Sequence, residues 1–196
     1  MESETADEIV TAMGRALCEH GYADLTMQRI AEEASMTTAA IHYHFDTKAA
    51  LLSAFLDDLV DRFETGLASD ADDPRERLET FLDAVFGPSR DDEFPVALME
   101  LKAQAPYQDA FRERFLDLDE AMRSVVAAAV GDGVEVGHFD DADPRAVARH
   151  VVTTINGAHV RTVALGEDTD ATRTVVERYL ELRLGWSPAS SSEVLA

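Results

Sequence analysis

Thr37, Thr38, Ala39 and Ala40 open a short run that continues through His42, Tyr43 and His44, with Lys48 just beyond it. Hydroxyls can serve a base edge or a phosphate, alanine methyls can lie against a thymine methyl, and free helix N-terminal amides attract an anion. The turn Ala34-Ser35-Met36 separates this run from an earlier helical segment. That is the length and small-residue corner of a helix-turn-helix, whose second helix enters a major groove. Many helical corners share the outline, so the corner by itself leaves nucleic-acid binding open. The string His42-Tyr43-His44 also raises the question of a metal site. Histidines two positions apart on a helix point about 200° apart, and no cysteine or nearby carboxylate completes a ligand set, so no metal is expected. The chain has no glycine-rich phosphate loop, no nucleophile elbow and no acid/base pair at helical spacing, so neither an enzyme nor a bound cofactor is expected.

Apolar residues recur at helical spacing throughout, with no alternation that would mark strands, and the expected fold class is all-α with about nine helices. The first helix, from about Asp7 to His20, places Ile9, Met13, Ala16 and Leu17 on one face and stops at Gly21. Thr26 caps the second, which turns Met27, Ile30, Ala31 and Ala34 inward. Thr37 caps the third, with Met36 stapled to Ile41 and Phe45 as its tie to the core. Asp46-Thr47 starts a long fourth helix carrying Leu51, Leu52, Phe55, Leu59, Phe63 and Leu67. Asp73-Pro74 begins the fifth, which ends at Gly87-Pro88; the sixth spans about Phe94 to Ala105 after Arg90-Asp91-Asp92. The seventh runs from about Gln108 to Val130 and is stopped by Gly131-Asp132-Gly133. Asp143-Pro144 opens an eighth that reaches Leu165-Gly166, and the ninth spans about Ala171 to Leu184. Division of the chain is expected at residues 1–50 for the head, 51–186 for the body and 187–196 for a frayed, serine-rich tail.

In 196 residues with 46% hydrophobic content there is enough apolar surface for a real core. No apolar run is long enough to cross a bilayer and the N-terminus is acidic, so a cytoplasmic protein with no membrane partner is expected. The single cysteine, Cys18, excludes an internal disulfide and sits beside Leu17 as a packing residue. Asp and Glu total 39 against 17 Lys and Arg, for a net charge of -22. Only two of the cations, Lys48 and Lys102, are lysine. Acid spread along the whole chain with lysine nearly removed resembles proteins adapted to molar KCl, where self-repulsion is screened within about 3 Å.

Gly21-Tyr22, Thr26, Ile30-Ala31, Ala34, Thr37, Ile41, Tyr43-His44-Phe45, Thr47-Lys48 and Leu51-Leu52 resemble, in order and spacing, the DNA-binding domain of the TetR/AcrR family, over roughly residues 7 to 54. The resemblance implies a transcriptional regulator, in the usual case a repressor, that binds double-stranded DNA at a palindromic operator as a homodimer and lets go when a small-molecule effector binds. It implies a DNA-contacting set of Thr26, Gln28, Thr37, Thr38, Ala39, His42, Tyr43, His44 and Lys48, with His44 and Lys48 on phosphates. The sequence departs from the family pattern at Ser35, where a corner glycine is usual, at His42 in place of an aromatic, and at Ala39-Ala40, which lack a base-reading side chain.

The segments Ala97-Leu98-Met99-Glu100 and Thr154-Ile155-Asn156-Gly157 resemble the BetI-type body of the same family. Such bodies dimerise through their last two helices, which here implies a seam of Val151, Ile155, Ala158, Thr162, Val175, Val176, Tyr179 and Leu180, with Val147 and Leu182 flanking it; the alternative is that this stripe is intrachain core. The resemblance also implies an effector pocket lined by Phe63, Leu67, Phe81, Phe94, Leu98, Phe111, Phe115, Met122, His150, Thr154 and His159. An apolar lining suits a hydrophobic or amphipathic effector, such as a drug-like cation, a lipid or an acyl thioester. The fourth helix, continuous from Lys48 to Phe63, is the expected lever that moves two heads off successive grooves, about 34 Å apart. The rival reading is a dimeric ligand-binding or scaffold protein that has lost DNA binding. Residues 1–50 hold Arg15, Arg29 and Lys48 against nine acids, a net charge of -6 and the wrong sign for an ordinary DNA-binding head. With so few cations to displace counterions, affinity for duplex DNA is expected to vary little, or to rise, as KCl increases. A steep loss measured by fluorescence anisotropy across a KCl series would contradict this.

Overall fold

The computed structural model describes residues 2–67, 71–87 and 94–187. Among these the chain forms helices and no strands, in the order α1 (Glu2–Asp24), α2 (Met27–Glu33), α3 (Thr38–His44), α4 (Lys48–Leu67), α5 (Pro74–Phe86), α6 (Phe94–Gln104), α7 (Asp109–Glu135), α8 (Pro144–Leu165) and α9 (Thr169–Leu184). The all-α expectation holds. The expected loop residues Arg90-Asp91-Asp92 and the tail beyond Ser187 lie outside the described residues.

Helix starts follow the capping chemistry. Oγ1 of Thr26 accepts from the Arg29 amide and Oγ1 of Thr37 from the Ala40 amide, both at 3.2 Å. Thr47 serves Ala50 in the same way at 3.1 Å. Asp73 and Asp143 each precede a proline at the first helical position and accept from the arginine amide that follows it. Each such cap satisfies a first-turn donor that has no partner inside the helix, an effect of about 1 kcal/mol.

One helix end follows its glycine and another does not. α1 begins earlier than its apolar pattern, at Glu2, and its regular helix stops at Gly21 as expected, where φ 70° and ψ 166° are non-helical and the chain bends before a last short turn to Asp24. α7 runs through Gly131 and Gly133 to Glu135. It stops instead at Gly137 (φ 74°), where the His138 and Gly137 amides reach back to the Gly133 and Val134 carbonyls at 2.8 and 3.2 Å. Gly133 has another use. A Cβ built there would lie 2.1 Å from Cδ2 of Phe139, so the glycine makes room for an aromatic ring that folds back onto its own helix. A buried glycine read as a breaker and one read as a clearance look alike in sequence.

The chain packs as two compact units, Met1–Arg62 with Ser89–Asp117, and Phe63–Pro88 with Leu118–Ala196. This differs from the division expected at residue 50, which falls inside α4. The first unit buries Ile9, Met13, Ala16 and Leu17 of α1, Ile30 of α2, Ile41 of α3 and Leu51, Leu52 and Leu56 of α4. It also takes Ala97 and Leu101 from α6 and Phe111 from α7 into the same core, with Cys18, Met36 and Phe45 partly buried against it. The second unit buries Phe81, Val126, Val130, Val151, Val152, Val176, Leu180, Leu184 and Trp186. Full burial of one such side chain contributes about 1.5–3 kcal/mol. Arg77 with Asp132 and Arg173 with Asp83 add partly exposed ion pairs at 2.6 and 2.7 Å, whose contribution is small.

Gly133→Ala is expected to lower stability by about 1–3 kcal/mol through overpacking against Phe139, outweighing the gain of roughly 1 kcal/mol in helix propensity. A falling urea midpoint checks this; a rising one would show that Phe139 is free to move aside.

Candidate nucleic-acid interface

α2 and α3 meet at the turn Ala34-Ser35-Met36. Ser35 occupies the left-handed region with φ 54°, and the amides of Ser35 and Met36 return to the carbonyls of Glu32 and Ala31 at 3.1 and 2.9 Å. This is the hydrogen-bond pattern of a glycine-closed helix end, built here with a serine at some cost in backbone strain. α3 has only seven residues, and Ile41 anchors it with no exposed surface. On the other side Thr37, Ala39, His42 and Tyr43 are exposed, Thr38 and His44 are half-buried, and Tyr43 is 76% exposed. The Tyr43 and His44 rings meet edge to face with centroids 5.1 Å apart.

Each capping threonine accepts from its own helix through oxygen, which leaves the hydroxyl proton able to turn to a further acceptor. Thr26 and Thr37 are therefore both caps and donors for an acceptor outside. Gln28 is exposed on α2 with its Nε2 donating to Glu32 Oε1 at 3.0 Å. No acid occurs from Ala34 to Phe45, although acids flank the stretch at Glu33 and Asp46. The carboxylates of Glu4, Asp7, Glu8 and Glu33 instead line a groove of about 800 Å³ along α1 and the end of α2.

The cations of the head are held by the chain itself. Arg15 Nε lies 2.5 Å from Glu33 Oε1, and Arg29 Nη1 donates to the Asp24 carbonyl at 2.7 Å. Lys48, expected on a phosphate, donates to the carbonyls of Leu25 at 2.9 Å and Tyr22 at 3.4 Å, with its ammonium 4.7 Å from the centre of the Tyr22 ring. The reason is local. The chain leaving α1 carries carbonyls with no helical partner, and the ammonium of the first residue of α4 reaches two of them.

Residues 9–55 match the model of bacterial regulatory proteins of the tetR family, and residues 74–185 match the model of the BetI-type transcriptional repressor C-terminal domain. The chain belongs to the TetR family of transcriptional regulators. A TetR transcription regulator from Haloarcula marismortui is 41% identical and superposes with a TM-score of 0.89, covering 93% of this chain and 99% of that one. The transcriptional repressor AcnR of Corynebacterium diphtheriae is 25% identical over 89% of this chain and 87% of its own length. A transcriptional regulator structure from Saccharomonospora viridis in complex with choline has a TM-score of 0.80 at 23% identity, covering 93% and 98% of the two chains.

The TetR-type body places the other expected residues less simply. Of the seam, Val151, Ile155, Ala158, Val176 and Leu180 are buried in the core of their own unit, as is Val147. A side chain with 0–8% of its surface exposed has almost none to give a second copy, so the intrachain alternative holds for these five. Thr162 and Tyr179 are half-buried, Tyr179 stacking on His150 with centroids 3.9 Å apart. Val175 is exposed, and so are Val160, Leu165 and Leu182, of which sequence reasoning singled out only Leu182. The expected effector lining divides between two cores. Phe81 and Met122 are buried in the second unit with Phe63 against them, and Phe111 is buried in the first with Phe94 and Phe115 against it. Leu98 and His159 are half-buried, His150 is exposed, and the half-buried Thr154 donates its hydroxyl to the His150 carbonyl at 2.9 Å. The Leu67 side chain lies outside the described residues.

Lys48→Ala leaves the Leu25 carbonyl without its donor and is expected to destabilise the protein by about 1–3 kcal/mol. Thermal unfolding in the absence of DNA checks this, since a lysine serving phosphate alone would leave the midpoint in place.

Proposed function

We propose that this TetR-family regulator is a ligand-responsive repressor that binds a palindromic operator as a homodimer, with α3 of each copy in a major groove. The observation that carries the reading is α3 itself, a capped helix whose outer side offers Thr37, Thr38, Ala39, His42, Tyr43 and His44 in a stretch without a single acid, within a chain of net charge -22. Neutral donors dominate this surface. Contact with DNA then rests on hydroxyls, imidazoles, the phenol and the helix N-terminal amides, with Thr26 and Gln28 at the start of α2 beside them. Lys48 contributes by holding the α4 start in place. Such a surface releases few counterions, which suits a protein adapted to high salt, as its acid excess also does.

The homodimer is supported by the family membership and by Val160, Leu165, Val175 and Leu182, which leave four apolar side chains more than half exposed on α8 and α9. These four, with the half-buried Thr162 and Tyr179, make the proposed seam; it keeps Thr162, Val175, Tyr179 and Leu182 from the set that the resemblance implies and adds Val160 and Leu165. The effector reading is supported by the choline held in the Saccharomonospora viridis relative. Choline belongs to the small organic cations, and this strongly acidic chain favours their approach. The reading places the protein in the cytoplasm with DNA, and no helix among the described residues is long and apolar enough to cross a membrane.

Selection from a random duplex pool in molar KCl is expected to enrich sequences with two inverted half-sites. Tyr43→Ala, which removes an exposed phenol, should weaken binding to the enriched duplex about tenfold while shifting stability by no more than about 0.5 kcal/mol. Failure to enrich any sequence, with a dimer still present by light scattering, would favour a ligand-binding protein without DNA affinity.

A further inference from the structure

Tyr22 is held at four points by residues of its own compact unit. Its amide donates to Glu100 Oε2 of α6 at 2.6 Å. Its hydroxyl accepts from Gln108 Nε2, just ahead of α7, at 2.9 Å. Its ring faces the Lys48 ammonium at the start of α4, and its carbonyl accepts from the same ammonium. The residue before it is shaped for the first of these contacts. Gly21 has φ 70° and ψ 166°, a conformation open in practice only to glycine. A Cβ there would also stand 3.1 Å from Glu100 Oε2. Strained backbone, a charge-assisted bond to a main-chain amide and the absence of a side chain all converge on one carboxylate that lies 78 residues away in sequence.

We propose that Glu100 is a positioning residue for the DNA-binding face. It fixes the Gly21-Tyr22 bend; Tyr22 and Leu25 fix Lys48; and Lys48 fixes the first turn of α4, which begins four residues after the last residue of α3. Ala97, Leu101 and Phe111 lie in the same core as Ile41, so the surface of α3 is set by a unit that includes α6 and the start of α7, not by the first four helices alone. Gln108 adds a second grip on Tyr22 from that added part. The inference rests on the operator-binding reading given above.

The test uses the full chain and duplexes enriched from a random pool by the wild type. Glu100→Ala is expected to weaken duplex binding about tenfold and to speed hydrogen exchange at the Tyr22 amide. Glu100→Gln keeps a carbonyl acceptor at the same place and should recover affinity to within about threefold of wild type. Should Glu100→Ala fail to fold, Tyr22→Phe removes only the bond to Gln108 and is expected to weaken binding about threefold. A purely structural Glu100 would lower the thermal midpoint and leave the affinity of the folded protein unaltered, and that result, or wild-type affinity in Tyr22→Phe, overturns the inference. A wild type that enriches no duplex overturns the operator reading and this inference together, whereas wild-type binding that Glu100→Ala does not change overturns the inference alone.

Discussion

A helix of seven residues has no stability of its own in water, so the whole candidate interface depends on Ile41 being buried in a core that other helices build. Nucleating a turn costs more than its few hydrogen bonds return, and α3 is too short to recover the difference by length. Thr37 satisfies one first-turn amide, and Ser35 closes the preceding helix in a left-handed conformation. With those ends fixed and Ile41 anchored, the opposite side of α3 is left to face outward. Any change that loosens this core would alter the surface without touching a residue on it.

The second constraint is electrostatic. A chain this acidic repels a polyanion at low salt, and the head shares in the excess. The fold answers by distribution and not by added cations. Carboxylates gather along α1 and the end of α2, while the stretch from Ala34 to Phe45 carries none. Arg15, Arg29 and Lys48 are drawn to acceptors within their own chain, where they organise the head. What remains on α3 is uncharged or an imidazole, a combination in which geometry matters more than net charge.

Much of the architecture was legible because its signals are local. Thr26, Thr37, Asp73 and Asp143 cap helices through bonds to amides two or three positions away, and no distant residue is needed to form them. Helical periodicity likewise marked Ile9, Met13, Ile41 and Leu51 as inward-facing before any partner was known. The failures share a different cause. Gly131 and Gly133 are breakers by propensity, yet α7 passes through both, and at Gly133 the missing side chain leaves room for the Phe139 ring. Val151 and Leu180 lie on a true apolar stripe, but a stripe does not say whether its cover is the same chain or another copy. Lys48 is another kind of case: its place on a phosphate stands as an expectation, and its bond to the Leu25 carbonyl depends on a backbone path that residue spacing does not encode.

By itself, then, the sequence determined the helical class, the caps, the corner at Ala34-Ser35-Met36 and the family to which the head belongs, because each is written in residue types at short spacing. Tertiary structure alone decided that α6 and the start of α7 share a core with the head, that Glu100 grips Tyr22, and that the expected seam is mostly interior. Those are contacts between residues tens of positions apart, and their formation depends on how whole helices pack, which no local spacing encodes.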